Sequence, residues 1–304
     1  FFVTGFQDSV NISLLALAIA DLCCVTLSLW SSICSVFLRV QPRDFIFELY
    51  SLLIMTANLP RVIFSRVTCW ITALIALERC ICVTLPFRVK VVFTPRTTLA
   101  TTVAVFLVTL AGHLSIYEAR YWTARLDRSS NATKYYMVIF SSGWTSHLTS
   151  LLFLALPIIN ILTVMICTLV LTVSLSASSK WRESATTSNC PGAQYFDSNP
   201  AKSKQIKRER NGYKGKPKNL NKEMRVSKMI LILTLIFIAC NLPSNMLIAT
   251  RNMVPAFQEI GKLQNLFRAT HIFAFLLETI NSSVNIFVYY RMGSKFKTEF
   301  LNIM

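Results

Sequence analysis

The stretch Cys69–Pro86, CWITALIALERCICVTLP, decides how the rest of the chain is read. An apolar helix runs into Glu78-Arg79-Cys80, and the chain turns at Pro86. Ionisable residues in or at the edge of a membrane helix are costly, so an acid and a base side by side there point to a function. The plain alternative is two charged side chains reaching the membrane interface from the end of an apolar helix.

The surrounding composition favours a membrane setting. Of 304 residues, 53% are hydrophobic and only 15% charged, against about 25% charged in soluble domains. Six apolar runs near 10–38, 50–84, 98–117, 138–175, 226–250 and 265–290 reach the roughly 20 residues that cross a bilayer. They predict an all-α membrane protein. The net charge of +17 is concentrated rather than spread. Thirteen basic and four acidic residues lie between Ser176 and Lys228, more than half of the surplus in one loop. Basic loops beside apolar spans mark the cytoplasmic side, so this charge argues for a lipid bilayer and against nucleic acid. Segment 176–225, Ser/Thr-rich and then Lys/Arg-rich, predicts a disordered inner loop. The nine cysteines show no CxxC pair and no secreted framework. His113, His147 and His271 fall on separate spans or span edges with no nucleophile or metal spacing, which speaks against an enzyme.

Particular residues within the spans carry more. Asp21 is a carboxylate about one-third of the way into an apolar helix, and it must face protein, water or a cation. Arg61 and Arg66 lie in the outer half of the second run, where Pro60 should kink or restart the helix. Pro157 falls mid-helix in the 138–175 run. Loop 87–96 holds Arg88, Lys90 and Arg96 and is cytoplasmic by charge, which puts loop 118–136 outside. There Asn131-Ala132-Thr133 forms a glycosylation sequon. Residues 291–303 alternate basic and apolar side chains and suit a short amphipathic helix on the inner leaflet.

In order along the chain, five motifs resemble those of rhodopsin-class G-protein-coupled receptors. They are Leu17-Ala18-Ile19-Ala20-Asp21 in the second family helix and Glu78-Arg79-Cys80 at the inner end of the third, then Pro157 in the fifth. Phe237-Ile238-Ala239-Cys240-Asn241-Leu242-Pro243 resembles the sixth-helix motif, and Asn285-Ile286-Phe287-Val288-Tyr289 the seventh-helix one. More narrowly, Gly5-Phe6-Gln7-Asp8-Ser9-Val10-Asn11-Ile12 and Trp70-Ile71-Thr72-Ala73 look like chemosensory-type receptors of gastropod molluscs. The resemblance implies a seven-helix bundle in the plasma membrane, with the first transmembrane helix missing from this chain and 176–225 as the third intracellular loop. There are departures. The 98–117 run lacks the usual tryptophan, Ile54 and the cysteine-free 118–136 loop replace the outer disulfide, Met165 replaces an activating tyrosine, and Asn241 stands at the toggle tryptophan.

The resemblance also implies roles. Arg79 would pair with Glu223 in the inactive state and be released to a heterotrimeric G protein, with Glu78, Cys80 and Tyr289 in the same switch. Asp21, Thr68, Asn281, Ser282 and Asn285 match the family's sodium and polar-network positions, with a water-filled polar cluster as the alternative; no other cofactor is implied. Arg61 and Arg66 lie in the half that lines the family's ligand cavity, and Glu278 sits about one turn from Asn281. One arginine is expected to pair with Glu278 and the other to hold an acidic ligand group, with Thr149, Ser150, Asn241 and His271 adding hydrogen bonds. A wholly internal Arg–Glu pair is the alternative. Pro157 and Pro243 would set helix kinks. The expected partners are an extracellular small-molecule or peptide ligand, a G protein, a receptor kinase and arrestin. The competing functions are a neuropeptide receptor and a membrane transporter.

Overall fold

The computed structural model describes residues 9–39, 49–85, 93–118, 120–127, 132–139, 144, 147–148, 151–187, 217–254, 256–257 and 261–292. Helices α1 (Ser9–Arg39), α2 (Leu49–Leu53), α3 (Leu59–Thr84) and α4 (Pro95–Glu118) come first. Strands β1 (Arg120–Asp127) and β2 (Ala132–Ile139) follow, then helices α5 (Leu156–Thr187), α6 (Pro217–Met253) and α7 (Gln264–Met292). Among the described residues, six stretches are long and apolar enough to cross a membrane. Lipid offers backbone groups no partners, so an apolar run in it must satisfy them within its own helix. Hydroxyls obey the same constraint. Thr26, Ser28, Ser32, Ser35, Thr72 and Thr163 each donate to the carbonyl four residues back in their own helix.

Helix α3 is the centre, packed by α1, α4, α5 and α6, while α7 closes against α6 and α1. Lipid removes the hydrophobic drive for one apolar helix to seek another, so close packing relies on small residues and interhelical polar contacts. Ala20 of α1 and Ala76 of α3 are fully enclosed, with Ala73 nearly so. Around them Leu17, Val67, Ile71, Ile75, Ile230 and Leu233 join α1, α3 and α6 in one apolar core. Leu107, Val108, Ile166, Leu169, Val173 and Phe273 point outward, as lipid-facing side chains should.

Two prolines are handled by the same device. A π-helical segment, Ile54–Asn58, precedes Pro60, and another, Leu151–Ala155, precedes Pro157. A proline ring clashes with the carbonyl four residues earlier and offers no N–H. Those carbonyls belong to Thr56 and Phe153, each at the middle of its π segment, where the wider turn takes up the misfit. Pro60 and Pro157 therefore stand at the second position of α3 and α5, and Pro243 lies inside α6.

Three differences from the sequence reading have physical causes. The fourth of the six spans does not begin near 138. Residues 132–139 form β2, paired antiparallel with β1 from Arg120↔Ile139 to Asp127↔Ala132, and the span starts at Leu151. Tyr135, Tyr136, Val138 and Ile139 suit a strand better than a helix. Pro157 is consequently near the start of a helix rather than mid-helix. The ends of the 176–225 loop are helical, since α5 continues to Thr187 and α6 already begins at Pro217, a residue preorganised for a first helical turn. Of the expected amphipathic helix over 291–303, residues 291–292 end α7 and the rest lies outside the described residues, as do 87–92 of loop 87–96, sequon residue Asn131 and the candidates Thr149 and Ser150.

Candidate functional site

The outer half of α3 presents two arginines to different surroundings. Arg61 Nη1 donates to Glu278 Oε2 of α7 at 2.9 Å, with side-chain exposures of 8% and 11%. Ser244 of α6 donates to the other carboxylate oxygen at 2.6 Å. The Arg61 guanidinium lies 4.1 Å above the Phe275 ring centre, also on α7, and the Cys24 thiol of α1 meets the Arg61 carbonyl at 3.6 Å. One ion pair thus ties α3 to α6 and α7. Above it, Trp30 donates to Thr56 and Ser31 to Asn58, holding α1 to the π segment that leads into α3.

Arg66, equally buried at 8%, has no ion pair among the described residues. Its Nε is enclosed without a hydrogen-bond partner. Its guanidinium reaches the Cys69 thiol one turn further along α3. Cys69 in turn donates weakly to Asn241 Oδ1 at 3.8 Å, and Asn160 of α5 donates to the Cys69 carbonyl at 3.1 Å. Across from it, His113 of α4 lies within reach of the Arg66 charge. His113 Nδ1 is 2.8 Å from the Thr109 carbonyl, its Nε2 is buried without a partner, and its ring meets Phe153 edge-on at 5.6 Å.

Below these, Asp21 anchors a polar network between α1, α3 and α7. Thr68 donates to Oδ1 at 3.2 Å and Asn285 to Oδ2 at 2.6 Å, with Ser282 as a further partner. A cavity with room for about one water adjoins it, lined by residues including Thr72, Asn281 and Asn285. The Asp21 carboxylate and the Thr68 and Ser282 hydroxyls are oxygen donors of the kind a hard cation takes. The donor chemistry therefore fits a sodium ion, whose positive charge would offset that of the buried carboxylate.

At the inner end Glu78 is buried and accepts from Ser9 of α1, and Arg79 Nη2 lies 3.9 Å from Glu78 Oε1. Cys80 contacts the Cys167 thiol of α5. Glu223 and Tyr289 lie on α6 and α7, but their side chains are outside the described residues.

The sequence candidates thus fall into three groups, and one candidate stands apart. His271 is exposed, two turns before Glu278 on α7, with its ring tilted against Phe267 at 5.9 Å. Ser244 and Asn160 were not singled out, and His113 was weighed only as a catalytic or metal-binding histidine. A polar side chain within an apolar run was the available signal for all three. The eight described cysteines are free thiols, and the described residues hold no cluster of three metal-ligating side chains.

A family model described as "7 transmembrane receptor (rhodopsin family)" matches residues 3–289. No curated protein matches the chain.

Proposed function

The chain belongs to the rhodopsin family of seven-transmembrane receptors, and from that premise we propose that it is a chemosensory receptor for a small acidic ligand held on Arg66. As a member of that family it is a multi-pass plasma-membrane receptor and not an enzyme, and it turns an extracellular ligand into G-protein signalling. The observation that carries the finer reading is Arg66. A buried guanidinium requires an anion, and Glu278, a carboxylate that the Arg66 charge reaches, is already engaged by Arg61 and Ser244. An acidic ligand supplies the missing charge through charge-assisted hydrogen bonds. Asn241 adjoins the same place through Cys69.

At the inner end, Arg79 is the residue released to the G protein, with Glu223 as its inactive-state partner and Glu78, Cys80 and Tyr289 around it. Sodium at Asp21 stabilises the inactive arrangement. Receptor kinase and arrestin follow as partners of the activated state. One observation favours a neuropeptide ligand instead. The β1–β2 hairpin is a two-stranded sheet with two edges, and an extended peptide can add to such an edge.

The test is G-protein activation in cells at matched surface expression, challenged with small carboxylic acids and with peptides. Arg79→Ala should abolish signalling and Glu223→Ala should raise its basal level. Arg66→Gln should lower acid potency by at least about 10-fold, as expected for losing a charged hydrogen bond. Unchanged acid potency in Arg66→Gln, or a response to peptides alone, would refute the acidic-ligand reading.

A further inference from the structure

We infer that His113 is the second contact of the ligand site, so that the receptor selects acids bearing a neutral hydrogen-bond donor beside the carboxylate, of the 2-hydroxy acid class. This deepens the reading above and rests on it.

Three observations carry the inference. First, Arg66 and His113 are each more than nine-tenths buried, and each retains one enclosed nitrogen with no partner among the described residues, Nε and Nε2 respectively. Buried polar atoms in folded proteins are nearly always bonded, so two such orphans on helices α3 and α4, which pack against each other, mark a place where something else binds. Second, the imidazole tautomer is set. The Thr109 carbonyl can only accept, so the proton on the facing nitrogen is on Nδ1. In the neutral ring Nε2 is then an acceptor and calls for a donor. A bare carboxylate has none, whereas a neighbouring hydroxyl does. An ammonium in that place would be set against the Arg66 guanidinium, so the neutral donor is preferred. Third, the wall is fixed. Phe153 lies edge-on to His113, and Gly112 packs so closely that an added Cβ would stand 3.3 Å from Leu152. Both Leu152 and Phe153 belong to the π segment before Pro157. The ligand's hydroxyl therefore donates to His113 Nε2 while its carboxylate accepts from Arg66.

The experiment compares L-lactate and D-lactate with propionate, which lacks only the hydroxyl. Signalling is read in cells expressing wild type, His113→Leu, His113→Gln or Arg66→Gln at equal surface levels. For wild type, one lactate enantiomer should be about 10-fold more potent than propionate, the scale of one hydrogen bond to a buried group. His113→Leu should reduce that ratio to about 1, which separates loss of the hydroxyl contact from any general change in the potency of both acids. His113→Gln, which restores an acceptor, should recover part of it. Arg66→Gln should weaken all three acids together. A lactate-to-propionate ratio that His113→Leu leaves unchanged, or that is already about 1 in wild type, overturns the role of His113 and leaves the acidic-ligand reading standing. Potencies unaffected by Arg66→Gln overturn that reading, and with it this inference. No wild-type response to any of the three at millimolar concentration overturns both.

Discussion

The two flanks of α3 handle buried charge in opposite ways. Toward α1, α6 and α7, every acid has partners. Glu278 takes Arg61 and Ser244, and Asp21 takes Thr68 and Asn285. Arg61 keeps one unpartnered atom, Nε, but its charge is matched. On the other side of α3, Arg66 meets a thiol and an imidazole, and it makes no ion pair of its own among the described residues, although its charge also reaches Glu278. The first flank is built as internal structure, and the second is the one that the proposed acidic ligand would complete. The difference teaches that the count of buried arginines is a poor guide to ligand sites, and that the pairing of each one is the useful quantity.

The largest effect should come from breaking the completed flank. Glu278→Leu leaves the Arg61 guanidinium buried and unmatched. Removing one partner of a buried pair costs about 3–5 kcal/mol, whereas replacing both with apolar residues of similar volume is often neutral. Thermal unfolding of the purified receptor in detergent should therefore show a steep loss for Glu278→Leu and a substantial recovery in Arg61→Met/Glu278→Leu. If the double variant were as unstable as the single one, Arg61 would be needed for more than its pairing, and the division into flanks would weaken.

Much of this was legible in the residues. Lipid forces apolar runs into helices, so all six spans could be read from hydropathy alone. The hairpin could not, because Met137-Val138-Ile139-Phe140 is as apolar as a helix start and leads toward the span at Leu151. Only the aromatic and β-branched residues of β2 and the turn-forming Ser129-Ser130-Asn131 hinted at strands. Within the site, Asp21, Arg61, Arg66 and Glu278 stood out singly as costly in a membrane. The choice of arginine for Glu278 was open, although helical geometry bears on it. At roughly 100° per residue, Arg61 is within about 20° of the Thr68 direction, while Arg66 points roughly 160° away from it. Once Thr68 faces Asp21, Arg61 must face the α1–α7 side, and Arg66 the other. His113 was hidden for a different reason. A lone histidine has meaning only through what lies opposite, and its neighbour across the helix contact is far away in sequence.

A smaller effect tests the polar network of the completed flank. Asp21→Asn keeps an acceptor for Thr68 but turns an amide N–H₂ toward the Asn285 donor. One buried donor is then unsatisfied, at about 1–3 kcal/mol. The same variant tests the cation. If sodium binds, added NaCl should raise the unfolding temperature of the wild type relative to an equal concentration of choline chloride, by mass action on the folded state. Asp21→Asn should lose that difference. An equal response to both salts in the wild type would leave the network as a water-filled polar cluster, still completed from within the protein.

The smallest stability effect should be at Arg66, and this prediction separates the two flanks most sharply. Arg66→Met keeps most of the apolar stem and removes a buried charge that makes no ion pair among the described residues. The desolvation that this charge suffers on burial then disappears with it. Unfolding of the ligand-free receptor should shift by less than about 1 kcal/mol, in either direction, because no carboxylate is stranded by the change. Acid potency should nevertheless fall as far as in Arg66→Gln, since neither side chain restores the guanidinium. A residue that matters for signalling but barely for folding is one whose partner arrives from outside. If Arg66→Met destabilised the receptor as much as Glu278→Leu does, Arg66 would be serving the fold rather than a ligand, and the contrast between the two sides of α3 would not hold.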